Sequence, residues 1–442
     1  MSVREMKDSG IEWVGQVPRN WDLKPIYTMF ASVRNKNIDG SESNSLRFSY
    51  GTIVSKENFD PNDEYVNKTI RSYIKILPGD LVINGLNLNY DFVTKRVAIS
   101  QNKGIITSAY IVMRLTDRCN CSNFYYYLFK SYENCGALHG MGEGVRKILS
   151  YEELKNHKIL LPSVLEQTAI ASYLDAKCEE IDSLTADIEK EIETLQEYKK
   201  SVITEAVTKG LDPNVEMKDC GVEWVGEIPK HWHVVPFNQL FYFDRGLQIT
   251  KANLVDDGIP CLSYGDIHSK FNVFVNPEKD QLPFVSEDYL KCNKHSLLCD
   301  GDFIFADTSE DIVGSGNFSC VRDFKGEFFA GYHTVICRSR IHEALHSIYF
   351  AYLFQSLAYR SQIQRQVKGI KVFSITQRIL KTTKVWFPKL NEQTAIANFL
   401  DTKCEEIDDI VDKKQKQLET LAQYKQSIIY EYVTGKKSVP MD

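Results

Sequence analysis

No run of this 442-residue chain approaches the length of a membrane span. The start, Met1-Ser-Val-Arg-Glu-Met-Lys-Asp8, is polar with no apolar segment behind it, so no signal peptide is expected. The 11 cysteines are odd in number and contain no Cys-x-x-Cys, which argues against a disulfide framework and for a reducing, cytoplasmic setting. No Gly-x-x-x-x-Gly-Lys-Ser/Thr occurs; Gly140-Met-Gly-Glu-Gly144 is Gly-rich without being a Walker loop. An Asn-Pro-Pro-Tyr-type amino-methyltransferase motif is also missing, since Asn87-Leu-Asn-Tyr90 lacks both prolines. Nothing in the chain therefore argues for chemistry of its own, and a non-enzymatic protein is expected.

Basic excess is lacking too. The net charge is −6, but its distribution matters more than its sum. Residues 165–209 carry −6 and residues 391–437 carry −2, leaving +2 for the rest. Within that rest, residues 338–389 hold ten basic side chains and one acidic, Glu343. Such a stretch on an acidic chain suits a phosphate-facing surface, or an ordinary solvated face.

What is present is a repeat. Gly-x-Glu-Trp-x-Gly-x-x-Pro-x-x-Trp occurs at 10–21 and 221–232, and Pro-x-x-x-Glu-Gln-Thr-Ala-Ile-Ala-x-x-Leu-Asp at 162–175 and 388–401. The first pair is offset by 211 positions and the second by 226; the sequence between the shared blocks has diverged. A duplicated scaffold with two different payloads suggests recognition of two different things.

After each second block, glycine and proline vanish for over 40 residues, and apolar side chains recur every seven. The seams are Leu174, Ile181, Ile188, Leu195 and Val202, then Leu400, Ile407, Lys414, Leu421 and Ile428. Leu184 and Tyr198, with Ile410 and Tyr424, make a second stripe. This predicts two long helices that pair. Lys414 interrupts the seam, either to fix register or to snorkel. The first helix ends near Thr208 and the next domain begins by about Val222, so the helices are expected to run antiparallel. At 1.5 Å per residue they would form a bar roughly 60 Å long in a pseudo-twofold molecule.

The intervening segments read as mixed α+β. Strands are expected at Leu81–Ile83, Val97–Ile99, Ala109–Met113, Phe303–Phe305 and Thr334–Cys337. Aromatic helices are expected at Asn123–Phe129 and Ser347–Phe354, read as core rather than base-stacking platforms. The four repeat tryptophans, Trp13, Trp21, Trp224 and Trp232, read as anchors to the helix ends.

This pattern resembles the specificity (S) subunit of type I restriction–modification systems. Val-Thr-Lys-Gly-Leu-Asp-Pro-Asn at 207–214, Pro78-Gly-Asp80 and Asp300-Gly-Asp302 belong to the same likeness. The resemblance implies target-recognition domains at 1–162 and 210–388, with spacer helices at 163–209 and 389–437. Each domain would read one half of a bipartite, asymmetric double-stranded DNA target. The helices would dock two methyltransferase (M) subunits, which restriction (R) subunits then join. S-adenosylmethionine, ATP and Mg²⁺ would belong to those partners, with no cofactor and no metal on this chain.

Candidate DNA contacts are side chains able to read bases or grip phosphates. In the second copy these are Arg245, Gln248, Lys251, Arg360, Arg365, Lys368, Lys371 and Arg378; in the first, Arg34, Asn35, Lys36, Arg146 and Lys147. Two rival readings stand beside this one. One is a coiled-coil adaptor that binds proteins. The other is a zinc peptidase built on His342-Glu-Ala-Leu-His346, a literal His-Glu-x-x-His on an expected helix, although Arg338 and Arg340 would repel a dication.

Overall fold

A computed structural model of the chain describes residues 4–56, 64–88, 95–142, 147–369 and 371–439, with backbone alone at 64, 65 and 67. The fold is mixed α+β, and its two longest elements are helices Val164–Lys209 and Leu390–Val433. Two compact units divide the chain within these helices. The first holds Met1–Glu189 and Gln415–Asp442, the second Lys190–Lys414.

In the first unit a four-stranded antiparallel sheet runs in the order Phe30–Ser32, Ile111–Leu115, Leu81–Ile83, Val97–Ile99. Helix Ser122–Asn134 follows, with Phe124, Tyr125, Leu128 and Phe129 fully buried, so its aromatics are core. The second unit has a five-stranded sheet in the order Phe241–Arg245, Thr334–Ser339, Phe303–Ala306, Phe318–Val321, Val273–Val275, the last pair parallel. Its aromatic helix, Ser347–Gln355, is likewise core.

The turn aspartates show why Pro78-Gly-Asp80 and Asp300-Gly-Asp302 recur. Asp80 accepts from the Leu77 amide at 2.8 Å and from Arg114 Nε and Nη2 at 2.6 Å. Asp302 accepts from the Cys299 amide at 2.9 Å and from Arg338 Nε at 3.1 Å. Each buried carboxylate thus closes a turn and pins the neighbouring strand.

The second repeat block does the same for the helices. Trp21 Nε1 donates to Glu166 at 3.2 Å, and Trp232 Nε1 to Glu392 at 2.9 Å. Gln167 accepts from the Cys121 amide at 2.9 Å and Gln393 from the His346 amide at 2.8 Å, which satisfies one of the unpaired amides at the start of each aromatic helix. Tyr127 donates to Asp175 at 2.8 Å and Tyr352 to Asp401 at 2.7 Å. Trp21 and Trp232 are therefore helix anchors, as expected. Trp13 and Trp224 are not: Trp13 packs edge-on to Tyr132, and Trp224 donates to the Ala358 carbonyl at 3.1 Å under the Arg365 guanidinium.

Each unit contains one half of the helix pairing, and it is antiparallel in both. In the first, Asp182 receives Lys425 Nζ at 2.6 Å and Tyr173 meets Tyr432. In the second, Asp408 receives Lys199 Nζ at 2.6 Å, and Lys414, the seam interruption, pairs with Glu191. Leu174, Ile181, Ile188, Leu400, Ile407 and Ile428 are buried, while Leu195, Val202 and Leu421 are half-buried. The second stripe departs from expectation. Leu184, Tyr198, Ile410 and Tyr424 are all exposed, because two helices in a pair bury a narrow seam and leave the flanking positions outside.

Candidate nucleic-acid interface

In the second unit, the end of strand Phe241–Arg245, the turn around Tyr332 and His333, and the short helix Gln377–Thr382 enclose a cleft of about 600 Å³. Arg245, Gln248 and Arg378, three of the sequence candidates, line it together with Tyr332, His333 and Gln377. Thr376 caps that helix by accepting from the Ile379 amide, which places Arg378 on a held backbone. His333 sits at φ +56° with Nδ1 3.2 Å from Asp307. Arg245, Gln248 and Arg378 are exposed and, among the described residues, make no side-chain hydrogen bond or ion pair. Two forked cations and an amide facing one cleft offer donors to phosphate oxygens and both donor and acceptor to base edges.

The cleft continues into a two-stranded ladder, Thr308–Ser309 with Phe373–Ser374. At its far end the chain passes through Lys368 and Lys371, both exposed. Arg365 is exposed and stacked over Trp224, its carbon 4.1 Å from the ring centroid. Lys251 is exposed on a short turn of 3₁₀ helix.

Arg360 differs from its neighbours. Its Nη2 donates inward to the Val313 carbonyl at 2.7 Å and to Asn317 Oδ1 at 2.5 Å, and burial pulls the guanidinium below the usual arginine range. Arg338 is likewise spent on Asp302 and Asp244. The basic stretch is thus partly internal: Arg338 and Arg360 turn inward, while Arg340, Arg365, Lys368, Lys371, Arg378, Lys381, Lys384 and Lys389 are exposed.

The first unit places its candidates on the matching segments. Arg34 is exposed but paired with Glu152 at 2.8 Å. Asn35 and Lys36 are exposed, and the Asn35 carbonyl accepts from the Lys75 amide at 2.8 Å. Lys147 is exposed at φ +39°, and Arg146 lies outside the described residues. The Leu149 amide donates to Gly85 at 2.9 Å as the Ile375 amide donates to Asp307 at 2.7 Å, so the backbone frames correspond. At the 226-residue offset Glu152 stands where the second copy has Arg378. The charge at this position is reversed between the copies.

His342 and His346 lie in a turn before helix Ser347–Gln355 and not on a helix, so His-x-x-x-His spacing does not bring the imidazoles to one face. Among the described residues no cluster of three His, Cys, Asp or Glu is arranged to hold a metal ion, and all 11 cysteines are free. Also among the described residues, no helix is long and apolar enough to cross a membrane. Tyr332 and His333 carry no signal in the sequence, since neither belongs to the basic stretch or to a repeat block; the turn alone sets them in the cleft.

A family model described as the type I restriction modification DNA specificity domain matches residues 74–194 and 229–420. The chain is 24% identical over 426 residues to the type I restriction enzyme MjaVIII specificity subunit of Methanocaldococcus jannaschii, covering 95% of this chain and 94% of that one. It is 24% identical over 441 residues to the putative type I restriction enzyme MjaX specificity subunit of the same organism, covering 96% and 95%. In fold it is similar to a chain solved in work on complex assembly and conformational transition of the type I R-M system, with TM-score 0.70, 14% identity and coverage of 95% and 99%. The HsdS subunit from Thermoanaerobacter tengcongensis matches with TM-score 0.51, 13% identity and coverage of 95% and 98%.

Proposed function

Since the chain belongs to the type I restriction–modification DNA specificity family, we propose that it reads a bipartite, asymmetric double-stranded DNA target, one half-site per unit, and catalyses no reaction itself. The long helices dock two methyltransferase subunits, and restriction subunits join that assembly. S-adenosylmethionine, ATP and Mg²⁺ are used by those partners. One observation carries the reading. The two units share their internal anchors, Trp21–Glu166 with Trp232–Glu392 and Tyr127–Asp175 with Tyr352–Asp401, yet differ at the exposed positions that could meet DNA, Glu152 against Arg378. A shared frame with divergent outward residues suits identical partners and unlike half-sites. Phosphate gripping by Arg245, Lys251, Lys368, Lys371 and Arg378 would make binding fall steeply with salt.

The test is to co-express the chain with an adenine methyltransferase subunit and map the modified adenines by sequencing. A two-part target is expected, and exchanging residues 233–386 for those of a relative is expected to change one part only. Absence of salt-sensitive duplex binding, with retained binding to other proteins, would sink the assignment.

A further inference from the structure

Segment 309–317 of the second unit exposes what a surface loop normally hides. Val313 is 77% exposed and Ile312 50%, and Val372 on the adjoining strand connection is 51% exposed. The ladder between Thr308–Ser309 and Phe373–Ser374 joins the two connections, and the exposed Lys368 and Lys371 lie a few residues before its second strand.

The tip is also held hard. Arg360 Nη2 donates to the Val313 carbonyl at 2.7 Å and Gln364 Nε2 to the same oxygen at 3.2 Å. Asn317 links the brace to the sheet: its Oδ1 accepts from Arg360, and its amide nitrogen donates to His268 Nδ1 at 2.9 Å. His268 Nε2 in turn donates to the Thr308 carbonyl at 2.8 Å. Gly316, at φ +94°, turns the chain under Arg360 and Ile363, where a Cβ would sit 3.3 Å from Ile363 Cδ1. Tucking a guanidinium partly beneath a loop costs hydration, which its hydrogen bonds to Val313 and Asn317 offset.

In the first unit a different arginine holds the connection after the matching strand. Arg96 is fully buried and donates to the carbonyls of Asn84 at 3.2 Å, Leu86 at 2.7 Å and Asn87 at 3.4 Å, the loop that follows strand Leu81–Ile83. That strand and Phe303–Ala306 occupy corresponding places, each following a Gly-Asp turn. Arg96 thus holds the start of the first unit's connection, at 84–87, and the half-buried Arg360 holds the second unit's connection further along, at Val313 and Asn317.

We propose that 309–317 is the base-reading loop of the second unit, that Ile312 and Val313 make apolar contacts to base edges in a groove of its half-site, and that Arg360 is a positioning residue which touches no DNA. The inference rests on the DNA-reading function above. Lys368 and Lys371, exposed on the connection that the ladder joins to this loop, are its phosphate contacts, which is what selects a polyanion over an apolar protein surface as its occupant. Rigid mounting explains the exposure, since an apolar group already held in its bound position loses little entropy on contact.

The experiment uses the full chain assembled with its methyltransferase subunits, a duplex bearing the mapped target and a scrambled duplex of equal length. Ile312→Ala with Val313→Ala is expected to weaken target binding roughly tenfold while leaving scrambled binding and the salt slope unchanged. Lys368→Ala with Lys371→Ala is expected to weaken both duplexes and flatten the salt slope. Arg360→Gln is expected to reproduce the tip variant's loss of specificity and to speed hydrogen exchange across 309–317, with the salt slope of the parent. An unchanged target-to-scrambled ratio in the tip variant overturns the inference, as does loss of methyltransferase co-purification, which would make the tip a protein contact. If the parent itself shows no preference for the target, the function reading has failed rather than this one.

Discussion

Glu166 and Glu392 show how one side chain can define a repeat. Each accepts the indole N–H of a fully buried tryptophan, Trp21 or Trp232, so one contact ties the first shared block of each copy to the second. Glu392→Ala would strand the Trp232 donor in the core, and a loss of about 1–3 kcal/mol is expected in urea unfolding followed by tryptophan fluorescence. His346 supplies a pH dependence. Burial holds its imidazole below the ordinary 6.5, with Asp401 opposing and Arg322 reinforcing the shift. The unfolded chain then takes up the proton more readily than the folded one. Stability from this group is full above about pH 6.5 and is lost as pH falls through the lower folded value. The melting temperature of the parent is expected to fall further between pH 7 and 5.5 than that of His346→Asn.

At the scale of elements, the long helices combine a narrow apolar seam with reciprocal charge pairs. Asp182 with Lys425 and Asp408 with Lys199 occupy the same repeat positions with the copies exchanged. These pairs are solvent-exposed, so each should contribute only about 0.2–1 kcal/mol, and their role is register more than stability. Lys425→Glu is expected to lower the unfolding midpoint slightly, and adding Asp182→Lys to restore it. A double-mutant cycle without coupling would refute the pairing. The exposed Leu184, Tyr198, Ile410 and Tyr424 keep the heptad rhythm yet lie outside the seam, because periodicity reports a face of a helix and not what covers it.

For the molecule as a whole, the two helices are continuous while the compact units divide inside them. Each unit is thus completed by the distant copy's helix: Gly435, just beyond the second helix, packs against Trp21, and Gly210, just beyond the first, against Trp232. Under the proposed function, removing seven residues from both helices shortens them by roughly 10 Å, about three base pairs. Mapping methylated sites is expected to show two unchanged half-sites at altered spacing; unaltered spacing would show that the helices do not measure DNA.

The repeat blocks, the helix lengths, the central strands and the aromatic cores were readable from residues alone, since spacing, capping blocks and apolar runs act over a few turns of chain. The fate of each cation was not. Arg360 and Arg365 lie five residues apart in one basic stretch, yet one is sunk beneath a loop and the other lies exposed over Trp224. Arg34 is paired with Glu152, over a hundred residues away, only because the fold sets the two side by side. Burial and pairing depend on which distant segments meet, and that meeting alone separated the side chains that hold the frame from those left facing solvent.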